Sequence, residues 1–438
     1  MIDSRRKFLG SLGLGALGML PLSQVLAATN AWIPSTTNPA TVPGNLGISG
    51  RVVVIGGGMA GATVAKYLRI WGGAGLQVTL IERESSYNSN IMSNLVLNGS
   101  MTMGSLSFSY DLLRKNYGVN VVTGDVSAID AVGKKVILKS GSSIAFDRLV
   151  VAPGIEFETI AGLETAASQN LAPHAWKAGP QTTLLRNQIK AMRRGGVFLM
   201  SIPKAPFRCP PGPYERACLV ADWLKKNNPG SKVIVLDENP GIIAEPVNFG
   251  KAFTVTHAGV IDYRPGTSIL SIDTATKTVN TSAGQIKADV MNPIPAQRAG
   301  AIITSSGLAN VGGRWAGVDV LSYESAVAPG IHVIGDSAAT TQPKAGHIAN
   351  QEAKVCADAI IRAFKGLAPD PAPVTNSACY SPITATTASW LTAVFAYDPT
   401  TKTMKSVPGA FGEADKPSTK NMDQMKKWFT NLMTDSFA

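Results

Sequence analysis

The chain has 438 residues, 45% hydrophobic and 16% charged, which is enough for two or three packed domains and excludes a disordered protein. The net charge is +11, but the positive residues are scattered in pairs such as Arg193-Arg194 and Lys225-Lys226. With no basic run interleaved with aromatics, nucleic acid is not the expected partner.

The amino terminus reads Ser4-Arg5-Arg6-Lys7-Phe8-Leu9, then a Gly-rich apolar run to Leu26 and the small residues Ala27 and Ala28. This pattern resembles a twin-arginine export signal over 1–28, which predicts a periplasmic protein exported already folded around its cofactor. Residues 29–49, rich in Pro, Thr, Asn and Gly, read as an extended leader.

Arg51-Val-Val-Val-Ile-Gly-Gly-Gly-Met-Ala-Gly61 joins an apolar strand to a Gly-x-Gly-x-x-Gly turn and a helix, and a second strand over 77–81 ends in the acidic Glu82. The spacing predicts a dinucleotide site. Gly56 permits the tight turn, Gly58 lets the backbone approach a pyrophosphate, Gly61 lets helix and strand pack, and Glu82 meets a ribose hydroxyl. The helix N-terminus faces the phosphates. Strand-like runs at 119–123 and 135–138 predict a small β insertion, with the chain returning to the sheet at Val150-Val-Ala-Pro-Gly154.

A second α/β unit is expected from a strand over 196–202, a helix over 214–226 and a strand over 232–237. Where its nucleotide turn belongs, the chain reads Pro203-Lys-Ala-Pro-Phe-Arg-Cys-Pro-Pro-Gly-Pro-Tyr214. Prolines at 203, 206, 210 and 211 remove backbone donors, so this unit has no pyrophosphate cradle. A single dinucleotide is therefore expected, with an electron donor other than NAD(P)H. Gly330-Ile-His-Val-Ile-Gly-Asp336 is a strand ending in Gly-Asp, suited to a flavin ribityl chain at Asp336. Together with the return at Ala152 to Gly154 it favours FAD, for which Arg83, Asn94 and Lys344 are further candidate contacts. In the tail, Met422, Met425, Trp428, Phe429, Leu432 and Met433 follow helical spacing, and core packing is favoured over a lipid-facing helix.

Four cysteines, at 209, 218, 356 and 379, allow three complete pairings. Cys218 and Cys356 fall in helical patterns that suggest inert core positions. Cys209 lies in the proline loop where a nicotinamide would otherwise face a flavin, and Cys379 lies in the terminal segment. Such a pair over a flavin could accept a sulfur nucleophile or serve as a structural bridge.

Phe207-Arg-Cys-Pro-Pro-Gly-Pro-Tyr-Glu-Arg-Ala217, His174-Ala-Trp-Lys-Ala-Gly179, Ile294-Pro-Ala-Gln-Arg-Ala-Gly300 and Cys379-Tyr-Ser381 together resemble the flavoprotein subunit of flavocytochrome c sulfide dehydrogenase. The resemblance runs from about Arg51 to Asp435-Ser-Phe437. It implies an α/β, glutathione-reductase-like fold with two Rossmann-type units and a C-terminal interface domain. The expected segments are a signal at 1–28, an FAD-binding domain at 29–165 and 301–370, a second Rossmann-like domain without a nucleotide motif at 166–300, and the interface domain at 371–438. It also implies a redox disulfide between Cys209 and Cys379, Glu215 as a base for sulfide, and a partner c-type cytochrome.

The chain departs from the family pattern at three positions. Asn90 precedes Ser93-Asn94 where the familiar member attaches FAD through a cysteine, so FAD is expected to be non-covalent. Ala316 and Ser337 replace two further family cysteines. No Cys-x-x-Cys-His motif is present, so haem must come from another polypeptide. The expected function is that of a sulfide:cytochrome c oxidoreductase subunit. A sulfide:quinone oxidoreductase, another thiol or polysulfide flavoenzyme, and a non-catalytic FAD-bearing subunit are the alternatives.

Overall fold

Short apolar runs of Val, Ile and Leu, buried on both faces in the central strands, form the frame of two mainly parallel sheets. The computed structural model describes residues 40–438; the expected export signal and the first part of the leader lie outside the described residues. The first unit contains β1 (Gly50–Ile55), α1 (Met59–Gly72), β2 (Leu76–Glu82), β3 (Asn120–Thr123) and β4 (Arg148–Val151). The second contains β5 (Val197–Ile202), α2 (Gly212–Asn227), β6 (Lys232–Asp237), β7 (Ile261–Pro265) and β8 (Val290–Pro293). The chain then returns through β9 (Ala328–Val333) and α3 (Gly346–Phe364), and ends in β10 (Val374–Pro382), β11 (Ala388–Asp398) and α4 (Thr419–Phe437).

In the first sheet the order β9-β4-β1-β2-β3 is parallel throughout, with three short strands beyond β9. The second sheet runs β7-β6-β5-β8, also parallel. An antiparallel ribbon of Ile155–Phe157 and Gln297–Ala299 joins the two where the chain leaves one sheet and comes back.

The strand over 119–123 differs from expectation. It is not part of the insertion but the edge of the first sheet, in register with β2 from Thr79↔Asn120 to Glu82↔Thr123. An edge strand buries only one side, so its half-exposed pattern looks like that of an insertion strand. The insertion itself is a three-stranded antiparallel sheet over Val126–Asp130, Lys135–Leu138 and Ser143–Ala145.

Small side chains let α1 and α3 share one core, with Ala62, Ala65, Ala353, Cys356 and Ala357 all fully buried. The tail helix α4 seals the same core with Met422, Met425, Phe429, Leu432 and Met433. Phe437 stacks on Tyr87 with ring centroids 5.0 Å apart. Lys66 donates to the Thr434 carbonyl at 3.1 Å, and Lys354 pairs with Asp435 at 2.8 Å, so cations meet the negative end of α4. The apolar stripe of α4 is therefore a core face, and among the described residues no helix is long and apolar enough to cross a membrane. Cys218 on α2 and Cys356 on α3 are both fully buried among apolar neighbours.

Met433→Ala should cost about 2–5 kcal/mol of stability in chemical denaturation, and Met433→Leu less than about 1.5 kcal/mol, because only the first leaves a cavity. A small, equal loss for both variants would mean that α4 is not packed on the core.

Candidate cofactor and dithiol site

The carboxyl ends of β1, β2, β4 and β9 open on a cavity of about 1290 Å³ that runs from Glu82 to the two sulfurs of Cys209 and Cys379. This is the place where a doubly wound sheet binds its ligand. The three motif glycines meet different surroundings. A Cβ on Gly61 would lie 1.7 Å from the Gly56 carbonyl oxygen, and one on Gly56, whose φ is +95°, would lie 2.3 Å from that of Ala152. A Cβ on Gly58 would meet only the Tyr87 ring edge, at 3.9 Å. The chain itself thus requires Gly56 and Gly61, whereas Gly58 leaves room for something in the cavity.

Glu82 lines the cavity and also braces the turn, accepting the Gly57 N–H at 2.6 Å and the Arg83 N–H at 2.8 Å. Arg83 lines the same end and pairs with Asp125 at 3.7 Å. Ala152, Gly154 and Asp336 form the middle of the wall. Burial pushes the Asp336 carboxyl up, opposed by the charges of Arg208 and Lys344. Two indole N–H groups in the wall, Trp176 Nε1 and Trp428 Nε1, are buried without a hydrogen-bond acceptor. A polar cofactor edge would satisfy them.

Lys344 does not line this cavity, contrary to expectation. Its ammonium donates to the carbonyl oxygens of Asp336 and Ala338, both at 2.8 Å, and lies 3.9 Å from the Trp315 ring centroid. Two nearby carbonyls and an aromatic face hold the cation inside the protein. Its backbone contributes to the site instead, for the Lys344 carbonyl accepts the Cys209 N–H at 2.7 Å.

Cys209 has the left-handed φ of +59°, unusual for a side-chain-bearing residue. Besides the bond to Lys344, its carbonyl accepts the Gly212 N–H at 2.9 Å, at the first turn of α2. A Cβ on Gly212 would come within 2.9 Å of both Cys209 Sγ and the Trp176 ring, so this position has no room for a side chain. Cys379 reaches the same cavity from β10, opposite Leu391 of β11.

All four cysteines are free thiols, so the expected Cys209–Cys379 bond is not formed in this structure. Burial pushes both thiols up: Cys209 well above its ordinary range, with Cys379 adding to the effect, and Cys379 to about 12. A thiolate is costly here, and burial favours the neutral dithiol.

Glu215 is buried beside the thiols and accepts from Asn94 Nδ2 at 3.1 Å. Burial pushes its carboxyl up to about 8, opposed by the Asn94 hydrogen bond. The other Asn94 N–H goes to the Gly212 carbonyl at 3.1 Å, and the Asn94 oxygen accepts from Arg216 Nε at 2.9 Å. Asn94, expected as a cofactor contact, lines the cavity but spends its amide on this network.

Arg208, Arg216, His174 and Trp176 were not singled out individually by the sequence reading. Arg216 lies 4.7 Å from the Trp176 ring centroid, and burial beside Arg216 holds His174 neutral, down at about 3. Their only signal was the pair of segments around 174–179 and 207–217.

The positions that depart from the family pattern are occupied compactly. Asn90 Oδ1 accepts from the Ala178 N–H at 2.8 Å and from Arg208 at 3.4 Å. Ser337 donates to the Gly154 carbonyl and accepts the Gly300 N–H at 3.3 Å. Ala316 pairs with Ala338, so positions 316 and 337 are close neighbours, both fully buried.

In the second unit, Asp237 ends β6 as Glu82 ends β2, but its carboxylate is already engaged. It accepts from Tyr214 and Tyr263 hydroxyls, both at 2.8 Å, and from the Asn239 N–H at 2.9 Å. Phe249 and Phe253 pack against those tyrosines.

Comparison with known proteins accounts for most of the described chain. Residues 50–183 match the pyridine nucleotide-disulphide oxidoreductase model, residues 182–295 the central part of the sulfide dehydrogenase [flavocytochrome c] flavoprotein chain, and residues 371–437 the flavin-binding model of flavocytochrome c sulphide dehydrogenase. Among curated proteins, a probable ferredoxin reductase, CtmF, of Castellaniella defragrans is 37% identical over 24% of this chain and 26% of its own length. A mitochondrial sulfide:quinone oxidoreductase of Dictyostelium discoideum is 24% identical over 45% of this chain and 44% of its own. The chain therefore spans less than half the length of either. Among solved structures, the sulfide:quinone oxidoreductase from Aquifex aeolicus superposes with a TM-score of 0.67 at 18% identity, covering 88% of this chain and 92% of that one. Putidaredoxin reductase in its covalent complex with putidaredoxin gives 0.63 at 17% identity, over 88% and 93%. At those identities the likeness concerns the fold.

The cofactor is FAD. The residues present fit it, with an open Gly58, orphaned indole donors and Asp336 along one cavity. Gly58→Ala should therefore leave the apoprotein melting temperature within about 2 °C of wild type, as a surface-like change does, while lowering the FAD bound per chain. Gly61→Ala should destabilise the apoprotein itself; the ratio of flavin to protein absorbance and thermal melts of both variants check this. The central and flavin-binding matches fall on the two regions that supply Cys209 and Cys379, and the chain belongs to the family of flavocytochrome c sulfide dehydrogenase flavoprotein chains.

Proposed function

We propose that this chain oxidises sulfide at a Cys209–Cys379 disulfide, passes the electron pair to FAD, and delivers it to a haem carried by a separate c-type cytochrome. The observation that carries the proposal is that two cysteines from distant segments line the FAD cavity beside a buried carboxyl, Glu215. Hydrosulfide attacks one Sγ, the cysteine disulfide breaks, a new sulfur–sulfur bond forms to the substrate, and the other cysteine leaves as a thiolate. Bound FAD supplies an acceptor for two electrons that can be released one at a time, as a haem requires.

The chain's own residues control charge during these events. Glu215 takes the proton that remains on the attacking sulfur. Cys209 stands at the N-terminus of α2, where the helix dipole partly offsets the cost of a buried thiolate. We further propose that the chain is exported to the periplasm by the twin-arginine route, on the strength of Arg5-Arg6 and the apolar run after them. The absence of a haem-attachment motif in the sequence supports a partner cytochrome.

Anaerobic titration of the holoprotein with sulfide should bleach the flavin, and Cys209→Ser should abolish the bleaching while FAD stays bound. Bleaching that survives Cys209→Ser would rule out the disulfide route. Cytochrome c should be reduced by sulfide without added quinone.

A carboxyl raised to about 8 is mostly protonated at neutral pH and becomes a base only as pH rises through that value. The ratio of wild-type to Glu215→Gln flavin-reduction rates should accordingly climb up to about pH 8 and then level off; taking the ratio removes the ionisation of sulfide itself. The same shift means that the folded apoprotein holds a proton the unfolded chain has lost between about 4.5 and about 8, so this group's contribution to stability falls as pH rises across that window. Glu215→Gln should flatten that part of the apoprotein's stability profile.

A further inference from the structure

Behind the dithiol, outside the cavity, lies a second buried carboxylate that the sulfide chemistry leaves unused. Glu245 has a left-handed backbone, φ +48°, and is only 2% exposed. One of its oxygens accepts from the Ser381 hydroxyl at 2.5 Å; the Ser389 hydroxyl also acts on the carboxyl, yet Oε2 is buried without a close hydrogen bond. An orphaned carboxylate oxygen inside a protein is expensive unless the group has a use.

Its neighbours are arranged in a row. Ser381 lies two residues from Cys379 on β10, so both point to one face of the terminal sheet. Ser381 pairs with Ser389, Cys379 pairs with Leu391, and Leu391 pairs with Glu413 on the next strand, Gly412–Glu413. Paired residues share a face, so one side of the sheet carries Ser377, Cys379, Ser381, Ser389 and Glu413. Ser377, Ser381 and Ser389 are nearly or fully buried, and Glu413 is half-exposed.

The ionisable groups that act electrostatically with Glu245 are Glu215 and Cys218 of α2, Cys379 of β10 and Glu413. None is a cation. Burial pushes the Glu245 carboxyl up, opposed by the hydrogen bonds of Ser381 and Ser389 and reinforced by Glu413.

We propose that Glu245 is a proton relay behind the dithiol, receiving the proton that Glu215 takes from the attacking sulfur and passing it through Glu413 to solvent. The inference rests on the sulfide reading and extends it. Each hydrosulfide oxidised to the zero-valent level loses two electrons and one proton, and the electrons leave through the cofactor side of the cavity. On the other side, the sulfur–hydrogen bond breaks as an O–H bond forms on Glu215. That proton moves to Glu245, which returns Glu215 to its carboxylate, and then to Glu413 and water. Glu245 is a relay acting through Glu215 and touches no substrate.

The test is proton release from the anaerobic holoprotein in weak buffer, followed with a pH indicator dye while flavin reduction is followed in the same sample. Glu245→Gln keeps the size of the side chain and its contact with Ser381; it should slow proton release at least about tenfold relative to wild type, the scale expected when one acid–base group is lost. Glu245→Asp should restore part of the rate. Glu413→Gln, a half-exposed change that leaves the core intact, should slow release by a smaller factor and keeps the test open should Glu245→Gln fail to fold. Release at the wild-type rate in Glu413→Gln and in folded Glu245→Gln overturns the relay. If sulfide does not bleach the wild-type flavin, the substrate reading fails by itself, and dithiothreitol is then used to reduce the protein so that proton release still decides the relay.

Discussion

The geometry of the site depends on one buried cation. The Arg216 guanidinium, 1% exposed, makes four hydrogen bonds: to Asn94 at 2.9 Å, to the His174 and Ala175 carbonyls at 2.8 and 2.7 Å, and to Asn292 at 3.0 Å. Those partners come from the first unit, the segment between the units and β8 of the second. Placing a full charge inside a protein costs several kcal/mol, and here it is offset by fixed dipoles, the two carbonyls and two side-chain amide oxygens, rather than by a close ion pair. Removing any partner would strand either the charge or a buried amide, so the sheets and the linker are held in a single arrangement.

That constraint reaches the sulfur through Asn94. Its oxygen is occupied by Arg216, which leaves its two N–H groups for the Gly212 carbonyl and Glu215. Gly212 in turn donates to Cys209, whose strained backbone is held from the other side by the Lys344 carbonyl. The order of dependence is therefore Arg216, Asn94, Gly212, Cys209. The acid and the thiol are not placed independently, and both follow from satisfying one buried amide.

Local pattern made much of the frame legible. Strands of Val and Ile, the glycine turn and the proline loop are encoded within a few residues of one another, because each depends on backbone sterics or period. The edge strand Asn120–Thr123 was harder, since half-burial has the same signature in an edge strand and in an insertion. What the sequence did not disclose was long-range satisfaction. Nothing near position 344 indicates that its ammonium turns to two carbonyls and the Trp315 ring instead of the cavity. Arg216 and Glu245 likewise acquire their roles from partners about a hundred residues away, such as Asn94 and Ser381, and no spacing rule connects those positions. The composition of the loop around Cys209 pointed to the place, whereas the thiols' electrostatic state depends on how deeply the fold buries them.

The two Rossmann-type units show how one fold serves opposite ends. Glu82 and Asp237 occupy the same topological place, at the carboxyl end of the second strand of their units. Glu82 accepts backbone N–H groups of its turn and still faces the cavity, beside an open Gly58. Asp237 is fully buried and filled by two tyrosine hydroxyls and Asn239. One of those tyrosines, Tyr214, sits on the first turn of α2, directly before Glu215 and Arg216. The hydrogen bond that fills the carboxyl end of β6 thus also anchors the helix end that carries the acid and the buried cation. One side chain thus both occupies the carboxyl end of β6 and supports the helix that follows Cys209.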